Sequence, residues 1–298
     1  MVGALDVDAV RIREVGPRDG LQVEQPLAVE DRIRLIEALV AAGLRTIEAV
    51  AFVSPKAVPA MADAAKVVSL LPKLEGVTWV GLVPNRKGAE MALESGLDVI
   101  SLTLSVSEGY NQRNVHMSVE DSIRQLEEIC GLTGKTPVEA VLSCSFGSPY
   151  EGDIAPDTVA SVGRRCMDAG AAGLTLADTT GMATPRRIEE VLAAVGHKVG
   201  LHLHDTRGTA LLNAHTAYRC GVRDFDTAVG GLGGSPFAEG ATGNLATEDL
   251  VYLMDDLGIE TGVDLRRLLD ASRLAAELVG HSVPSRVASA GPRLDNPA

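Results

Sequence analysis

Eight short runs rich in aliphatic and β-branched residues recur along the chain, and each is followed by a pattern typical of a helix. The starts of consecutive runs lie roughly 31 residues apart, which is the length of one strand–loop–helix unit. The predicted strands cover residues 9–15, 45–52, 77–83, 98–105, 138–145, 173–177, 199–204 and 224–229. This period constrains the fold more than any other feature, because alternating strands and helices build a parallel sheet covered by helices.

The first segment between two strands has the pattern of an amphipathic helix. Val29, Ile33, Ile36 and Val40 recur at helical spacing on one face, and Gly43 follows as a predicted C-terminal cap. Eight such units in 298 residues favour a closed (β/α)8 barrel, the TIM barrel, over an open doubly wound sheet. We therefore predict an α/β fold with one catalytic barrel domain over residues 1–280 and a C-terminal tail over residues 281–298.

The composition limits the partners and the compartment. Lys and Arg number 27 against 40 Asp and Glu, and the formal net charge of −13 disfavours binding to nucleic acid or to an anionic membrane surface. Asp6 and Asp8 stand where a signal peptide needs an apolar run, and no stretch has the length of a membrane span. The four cysteines form no Cys-x-x-Cys pair and are expected to be reduced. A cytoplasmic protein is predicted.

Polar residues that are costly to bury collect where the predicted strands end. A barrel of this kind places its chemistry at the C-terminal ends of its strands. The polar residues predicted at those ends are Arg18, Asp19, Glu48, Asn85, Asp178, His202 and His204. Six further arginines are predicted to lie on solvated faces, namely Arg11, Arg13, Arg164, Arg165, Arg186 and Arg187.

The sharpest local signal is the sequence His202-Leu203-His204 at the end of the seventh strand. Residues i and i+2 of a strand point to the same face, so both imidazoles are expected to face the mouth of the barrel. Two neutral imidazoles can chelate a divalent metal, and a pair of hydrogen-bonded structural histidines is the alternative. With Asp19 and Asn244 as candidate oxygen donors, the mixed set suits Mg²⁺ or Mn²⁺ better than structural zinc.

A glycine-rich stretch over residues 230–244 follows the eighth strand. It matches neither the phosphate loop of nucleotide hydrolases nor the dinucleotide-binding fingerprint, so a flexible surface loop and a lid over the site are the two interpretations. Thr247, Glu248 and Asp249 then open a predicted helix. Carboxylates are favourable at a helix N-terminus, so a purely capping role is the alternative to a functional one for both acids.

Seven segments together resemble the 3-hydroxy-3-methylglutaryl-CoA lyase family. They run in order through nearly the whole chain: EVGPRDGLQVE (14–24), IEAVAFVSPKAVPAMAD (47–63), LVPNRKG (82–88), SPYEGDI (148–154), ADTTGMATP (177–185), LHLHDTRGTALLN (201–213) and GLGGSPFAEGATGNLATEDLVYL (231–253). The resemblance implies a metal-dependent (β/α)8 barrel that acts on an acyl-CoA, related to isopropylmalate and homocitrate synthases. A role in leucine degradation and a homodimer are expected from the resemblance alone.

The resemblance also implies roles for the polar residues. Asp19, His202, His204 and Asn244 match the ligands of a divalent cation, usually Mg²⁺ or Mn²⁺. Arg18 matches the arginine that stabilises the thioester enolate. The acidic residues that match those supporting the metal, the substrate and proton transfer are Glu48, Asp178, Glu248 and Asp249. The implied reaction cleaves the carbon–carbon bond beside a tertiary 3-hydroxyl, giving acetyl-CoA and acetoacetate.

One position departs from the family pattern. The family's glycine loop usually reads GLGGCP, and its cysteine is held to be the catalytic acid–base; here the residue is Ser235. A thiol with a pKa of about 8.5 exchanges protons near neutrality, whereas a serine hydroxyl needs an adjacent base or a water relay. Three outcomes stay open: another group is the acid, the substrate differs, or the lyase activity is low.

Three other functions remain as alternatives to cleavage of 3-hydroxy-3-methylglutaryl-CoA. The chain could cleave another 3-hydroxyacyl-CoA, such as citramalyl-CoA or a longer-chain glutaryl-CoA. It could run the chemistry in the condensing direction, joining acetyl-CoA to a 2-keto acid. It could also be a catalytically weak homologue that binds an acyl-CoA, an interpretation suggested by Ser235.

Overall fold

The computed structural model describes residues 9–234 and 243–293. Within these ranges the strands form one closed barrel, in which each strand pairs in parallel with the next and the last pairs with the first. The strands are Arg11–Glu14 (β1), Thr46–Ala51 (β2), Thr78–Val83 (β3), Val99–Ser105 (β4), Val138–Ser143 (β5), Gly173–Asp178 (β6), Gly200–Leu203 (β7) and Asp224–Thr227 (β8). All eight predicted strands are confirmed, and their ends differ from the predicted ones by no more than two residues.

Helices follow the strands and cover the outside of the barrel. They are Val29–Ala41 (α1), Ala64–Leu70 (α2), Arg86–Ser95 (α3), Glu108–Val115 (α4), Val119–Thr133 (α5), Pro156–Asp168 (α6), Pro185–Val195 (α7), Ala210–Arg219 (α8), Thr247–Asp256 (α9), Leu265–Val279 (α10) and Arg286–Ala290 (α11). In the described part of the chain, none of them is long and apolar enough to cross a membrane. The predicted single-domain (β/α)8 barrel is confirmed.

The core is aliphatic and lies between the barrel wall and the helices. On α1, Leu35, Ile36 and Leu39 are fully buried, because this face packs against the strands. Of the predicted apolar face, Val29, Ile36 and Val40 are buried and Ile33 is half-buried. Burying this aliphatic surface is the main driving force for the fold.

Two local irregularities shape the mouth, the C-terminal end of the barrel. After β1 the backbone makes one π-helical turn, Gly16–Gly20, in which the amides of Arg18, Asp19 and Gly20 all lie within 3.2 Å of the Val15 carbonyl oxygen. In β2 the pairing register with β3 shifts by one residue between Glu48 and Val50. Such bulges and π-turns redirect side chains and are common beside functional sites.

The interior of the barrel is not wholly apolar. Arg13 of β1 is 9% exposed and Arg187 of α7 is 7% exposed, so the prediction that both lie on solvated faces is wrong. Arg13 points into the barrel, where it pairs with Asp226 of β8 and Glu139 of β5. Strand side chains alternate between the two faces, so a charged residue in a strand can face the interior of the barrel rather than solvent.

The segment after α10 contains a short helix. Within 281–293, part of the region predicted as a tail, α11 packs against α9, and the Ser285 amide donates to the Gly230 carbonyl oxygen at 2.8 Å. The division into residues 1–280 and 281–298 stays a prediction.

Candidate active site

Three side chains that can bind a metal meet at the mouth of the barrel. His202 lies in β7, His204 directly follows that strand, and Asp19 lies on the π-helical turn after β1. Their candidate ligand atoms all lie within 4.8 Å of one another, and the two Nε2 atoms of the histidines are 3.1 Å apart. All three residues are buried. We call this group the Asp–His–His cluster.

Asn244 adjoins the cluster. Its backbone forms an isolated bridge with His204, and its Nδ2 donates to Asp19 Oδ2 at 2.7 Å and to the Leu232 carbonyl oxygen at 2.9 Å. Its Oδ1 is buried and has no hydrogen-bond partner among the described residues. A buried acceptor without a donor is costly unless a ligand satisfies it. The residues therefore fit a divalent metal bound by imidazole nitrogens and side-chain oxygens.

The Asp19 carboxylate carries negative charge into the cluster. Burial would raise the pKa of Asp19, but the positive Arg18 and the neighbouring histidines outweigh burial and lower it to about 2. Its Oδ1 accepts from Arg18 Nη1 at 2.5 Å and from Gln22 Nε2 at 2.9 Å. Asp19 is thus ionised at neutral pH, as a metal ligand must be.

Arg18 is fixed by two carboxylates. Its Nε donates to Glu48 Oε2 at 2.5 Å, its Nη2 forms an ion pair with the same oxygen, and its Nη1 reaches Asp19. Arg18 is 9% exposed and Glu48 is 1% exposed. Glu48 contacts the guanidinium rather than the Asp–His–His cluster, so its position suits orienting Arg18.

Asp178 presents one unused oxygen at the end of β6. Its Oδ1 accepts from the amides of Met182 at 2.7 Å and Ala183 at 3.0 Å. Its Oδ2 is buried, and no group in the described part of the chain donates to it. Burial raises the pKa of Asp178 to about 7, although the two amides lower it in part. A carboxyl group whose pKa lies near neutral pH, and whose second oxygen accepts no hydrogen bond from the described residues, can exchange a proton with a substrate.

Two predicted site residues are not brought to the cluster. The Glu248 carboxylate accepts from the Gly230 amide at 2.8 and 3.0 Å, beneath the turn that follows β8. Asp249 Oδ1 accepts from the Ser285 hydroxyl at 2.8 Å and the Val287 amide at 2.9 Å, at the start of α11. These contacts support the turn after β8 and the start of α11, and the N-terminus of α9 itself has no side-chain cap.

The remaining predicted residues are placed as follows. Asn85 caps α3 by accepting from the Gly88 amide at 3.0 Å. Ser235 lies outside the described residues. The glycine-rich stretch is described only at its ends, where a Cβ on Gly233 would lie 2.4 Å from Asn244 Nδ2.

Two buried acids that the sequence patterns did not single out also shape the site. Glu14 accepts from the amides of Gly16 and Val229 and from the Thr247 hydroxyl, at 2.6 to 2.8 Å. Asp226 of β8 lies 3.3 Å from His202 Nδ1. Both acids sit inside predicted strands, and a charged residue within a barrel strand was the signal that could have identified them.

Comparison with protein families decides the membership of the chain. The HMGL-like family model matches residues 9–275, which include every residue of the Asp–His–His cluster. The chain belongs to the HMGL-like family.

Relatives in this family span almost the same length. A 3-hydroxy-3-isohexenylglutaryl-CoA/hydroxy-methylglutaryl-CoA lyase from Pseudomonas aeruginosa is 44% identical over 289 residues, covering 94% of this chain and 96% of the relative. Hydroxymethylglutaryl-CoA lyase YngG from Bacillus subtilis is 42% identical over 285 residues, covering 93% and 95%.

Solved structures agree with this family membership. An HMG-CoA lyase from Acinetobacter baumannii, in complex with coenzyme A and 3-methylmalate, superposes with a TM-score of 0.94 at 40% identity and covers 99% of both chains. The Bacillus subtilis HMG-CoA lyase superposes with a TM-score of 0.91 at 41% identity, covering 95% of this chain and 97% of that one. The carboxyl transferase domain of Rhizobium etli pyruvate carboxylase, at 16% identity and a TM-score of 0.70, shares the fold alone.

Proposed function

We propose that this member of the HMGL-like family is a carbon–carbon lyase that cleaves 3-hydroxy-3-methylglutaryl-CoA to acetyl-CoA and acetoacetate. The reaction depends on a divalent cation, Mg²⁺ or Mn²⁺, held by Asp19, His202, His204 and Asn244. The observation that carries the proposal is the buried Asp–His–His cluster, with a fixed arginine beside it and an Asn244 oxygen that has no partner among the described residues. Relatives at 42 to 44% identity carry the names of lyases for this substrate.

The cluster would hold the cation whose positive charge the reaction needs at its first step. Asp19, His202, His204 and Asn244 would hold a divalent cation there, and the cation would supply Lewis acidity toward the substrate hydroxyl. Asp19 is held ionised by Arg18, so the site keeps its anionic ligand at neutral pH. Burial of the cluster excludes water, which strengthens each electrostatic contact.

Asp178 is the group that we assign to the removal of the hydroxyl proton. Its Oδ1 is anchored by two amides, which leaves Oδ2 as the acceptor. As the proton leaves the 3-hydroxyl, the C2–C3 bond breaks and its electron pair passes to the thioester, forming the enolate of acetyl-CoA. The distal fragment becomes acetoacetate.

Arg18 is placed to meet the charge of that enolate. Glu48 and Asp19 hold its guanidinium in one orientation before the substrate arrives, and such pre-organised donors lower the barrier without reorganisation. A proton must then be delivered to the enolate carbon, and Ser235 stands at the position of the family's acid. One proton leaves the hydroxyl and one is gained at carbon, so the reaction is balanced without a redox partner.

A longer-chain substrate is the second candidate. The Pseudomonas aeruginosa relative is named for both 3-hydroxy-3-isohexenylglutaryl-CoA and hydroxymethylglutaryl-CoA, and it is 44% identical to this chain. The two substrates share the 3-hydroxyl, the carboxylate and the thioester and differ in the substituent on C3. The same residues would therefore act on either one.

The test is product analysis by mass spectrometry after incubation of the purified protein with Mn²⁺ and each of the two CoA esters. We expect acetyl-CoA to form with the metal and to be absent after chelation or in Asp19→Ala. Asp31→Ala is the control, because Asp31 lies on the outside of α1 and pairs with Arg34 at the surface. Thermal unfolding gives a second readout, since Mn²⁺ should raise the Tm of the wild type but not of Asp19→Ala.

The alternatives give different outcomes in the same assay. Thiol release from acetyl-CoA with a 2-keto acid, without cleavage of either ester, would replace the lyase by a condensing enzyme. Binding of an acyl-CoA with no product at any substrate would favour the weak homologue. The cytoplasmic location and the homodimer remain predictions.

A further inference from the structure

One ring nitrogen of His202 faces away from the Asp–His–His cluster. His202 Nε2 lies 3.1 Å from His204 Nε2 and 3.9 Å from Asp19 Oδ2. Its Nδ1 lies 3.3 Å from Asp226 Oδ2 on the neighbouring strand. The imidazole therefore joins two environments, the candidate metal site on one side and a buried carboxylate on the other.

Asp226 is held in place by a two-pronged arginine contact. Arg13 Nε donates to Asp226 Oδ1 at 2.8 Å, and Arg13 Nη2 donates to Asp226 Oδ2 at 2.7 Å. The three residues are lateral neighbours in the barrel, because His202 pairs in register with Asp226 and Asp226 with Arg13. Bidentate arginine–carboxylate pairs are the most directional of the charged contacts.

The guanidinium is itself anchored from across the barrel. Arg13 Nη1 donates to Glu139 Oε2 of β5 at 2.6 Å, and Nη2 also reaches the Thr175 hydroxyl of β6 at 3.2 Å. Arg13 is 9% exposed and Asp226 is 5% exposed, so neither group is free to turn toward solvent. Four strands thus fix the position of one carboxylate.

We infer that Asp226, clamped by Arg13, is a positioning residue that keeps the proton of His202 on Nδ1 and so turns the lone pair of Nε2 toward Asp19 and His204. An ionised carboxylate can only accept a hydrogen bond, so the nitrogen that faces it must carry hydrogen. In a neutral imidazole the other nitrogen then has the lone pair that a metal requires. The inference rests on the proposed function for the identity of the cluster as a metal site.

A matched control lies two residues away on the same strand. Asp224 makes the same kind of fork with Arg11, with both distances 2.6 Å, but at the floor of the barrel, where the side chains are 44% and 60% exposed. Asp224 pairs in register with Gly200 rather than with a histidine. The pairs Arg13–Asp226 and Arg11–Asp224 thus differ in burial and in contact with His202.

The experiment compares Asp226→Asn with Asp224→Asn. The amide at 226 is neutral, and in either orientation its NH₂ group meets a donor of Arg13, so the carboxylate contact to Nδ1 is lost or loosened. We expect Mn²⁺ affinity, measured by calorimetry and by electron paramagnetic resonance, to fall roughly 10- to 100-fold in Asp226→Asn. Asp224→Asn should stay within about twofold of the wild type. Arg13→Lys, which keeps the charge but loses the fork, should lie between the two.

A spectroscopic measurement tests the tautomer directly in the metal-free protein. The ¹⁵N shifts of His202, assigned by comparison with His202→Gln among six histidines, should show hydrogen on Nδ1 in the wild type and a mixture in Asp226→Asn. Circular dichroism and Tm in the absence of metal show whether each variant is folded. If Asp226→Asn unfolds, the tautomer in the wild type and the Mn²⁺ affinity of Arg13→Lys decide the question.

The outcomes separate this inference from the proposed function. Hydrogen on Nε2 of His202 in the wild type overturns the inference, whether or not the protein is a lyase. Unchanged Mn²⁺ affinity in both Asp226→Asn and Arg13→Lys also overturns it. Tight Mn²⁺ binding and the expected tautomer without cleavage of either CoA ester would remove the proposed lyase reaction and leave the positioning role intact.

Discussion

Gly233 approaches the candidate metal site more closely than a residue with a side chain could. Its φ is +115°, and a Cβ there would lie 2.4 Å from Asn244 Nδ2 and 3.4 Å from Asp19 Oδ2. Both the backbone conformation and the lack of space select glycine. Single atoms matter likewise at Asn244, the proposed ligand, whose buried Oδ1 has no hydrogen-bond partner among the described residues.

Gly233→Ala should weaken metal binding by about tenfold or more, because the new methyl group displaces the Asn244 amide. Mn²⁺ titration by calorimetry measures the effect. Gly258→Ala is the control, since Gly258 also has a positive φ, +73°, but no atom of the described residues lies within 4 Å of the position that its Cβ would take. Equal losses in both variants would assign the effect to backbone strain rather than to Asn244.

Ser235→Cys should raise the turnover number with 3-hydroxy-3-methylglutaryl-CoA by roughly tenfold or more. The reason is that a thiol gives up a proton near neutral pH far more readily than a hydroxyl does, and general acid catalysis follows that acidity. Steady-state kinetics under reducing conditions measure the effect, with Ser235→Ala as the control. If all three proteins turn over equally, the acid lies elsewhere in the site.

Several acidic side chains near the site contact a neighbouring turn or helix rather than the Asp–His–His cluster. The turn after β8 is held from below by Glu248 and Glu14 and from the side by the segment that leads into α11. Asp249, in α9, accepts hydrogen bonds from the first residues of α11. Asp249 can therefore affect the site indirectly, by stabilising α11, which packs against α9.

Asp249→Ala should lower the Tm by a few degrees, because a cap of this kind is worth about 1 kcal/mol and the helix start loses its acceptors. Truncation of the chain after Pro284 should produce at least the same loss, and adding Asp249→Ala to the truncated chain should change nothing further. Differential scanning calorimetry measures each variant. Asp256→Ala, which removes an exposed pair with Arg293, is the matched control on α9.

Catalytic contact by Asp249 would give a different pattern. In that case Asp249→Ala would lose activity in the truncated chain as well, because its effect would not pass through α11. The turnover number and the Tm are therefore measured for the wild type, Asp249→Ala, the truncated chain and the truncated chain with Asp249→Ala. Together they distinguish the capping role at α11 from direct catalysis.

Two buried carboxyl groups, Glu14 and Glu248, accept hydrogen bonds from neutral groups of the described residues. Burial raises the pKa of Glu14 to about 7 and of Glu248 to about 8, although hydrogen bonds from Thr247 and from the Gly230 amide oppose the shift. Both pKa values lie above the ordinary glutamate value of 4.5. Between pH 4.5 and the raised pKa of each group, the folded state therefore holds more protons than the unfolded state. The free energy of unfolding must then fall as pH rises through that window.

Glu248→Gln should remove part of this pH dependence. Each such carboxyl lowers the free energy of unfolding by at most about 1.4 kcal/mol per pH unit, and an amide keeps an acceptor for Gly230 without titrating. Denaturant unfolding of the metal-free protein at pH 5, 6, 7 and 8 should therefore show a shallower decline for the variant. Glu75→Gln, at an exposed position, should follow the wild type. Parallel curves for Glu248→Gln and the wild type would contradict the raised pKa.

Sequence patterns were sufficient for the architecture. The period of strands and helices predicted all eight strands and the closed barrel, because hydrophobic alternation and helical spacing are local properties of the chain. The same reasoning placed Asp19, His202 and Asp178 at strand ends, where a barrel gathers its polar side chains.

The tertiary structure alone decided which polar groups touch one another. Arg13 was predicted to be solvated and is buried against Asp226, and Glu14 joins residues more than 200 positions away in sequence. Asp249 and Glu248 lie near the cluster in sequence, yet they bind α11 and the turn after β8. The sequence by itself determined the barrel and the strand ends that carry its polar residues. The partners of Arg13 and Glu14 across β8 were set by barrel closure, which brings the first strand against the last and makes distant residues neighbours.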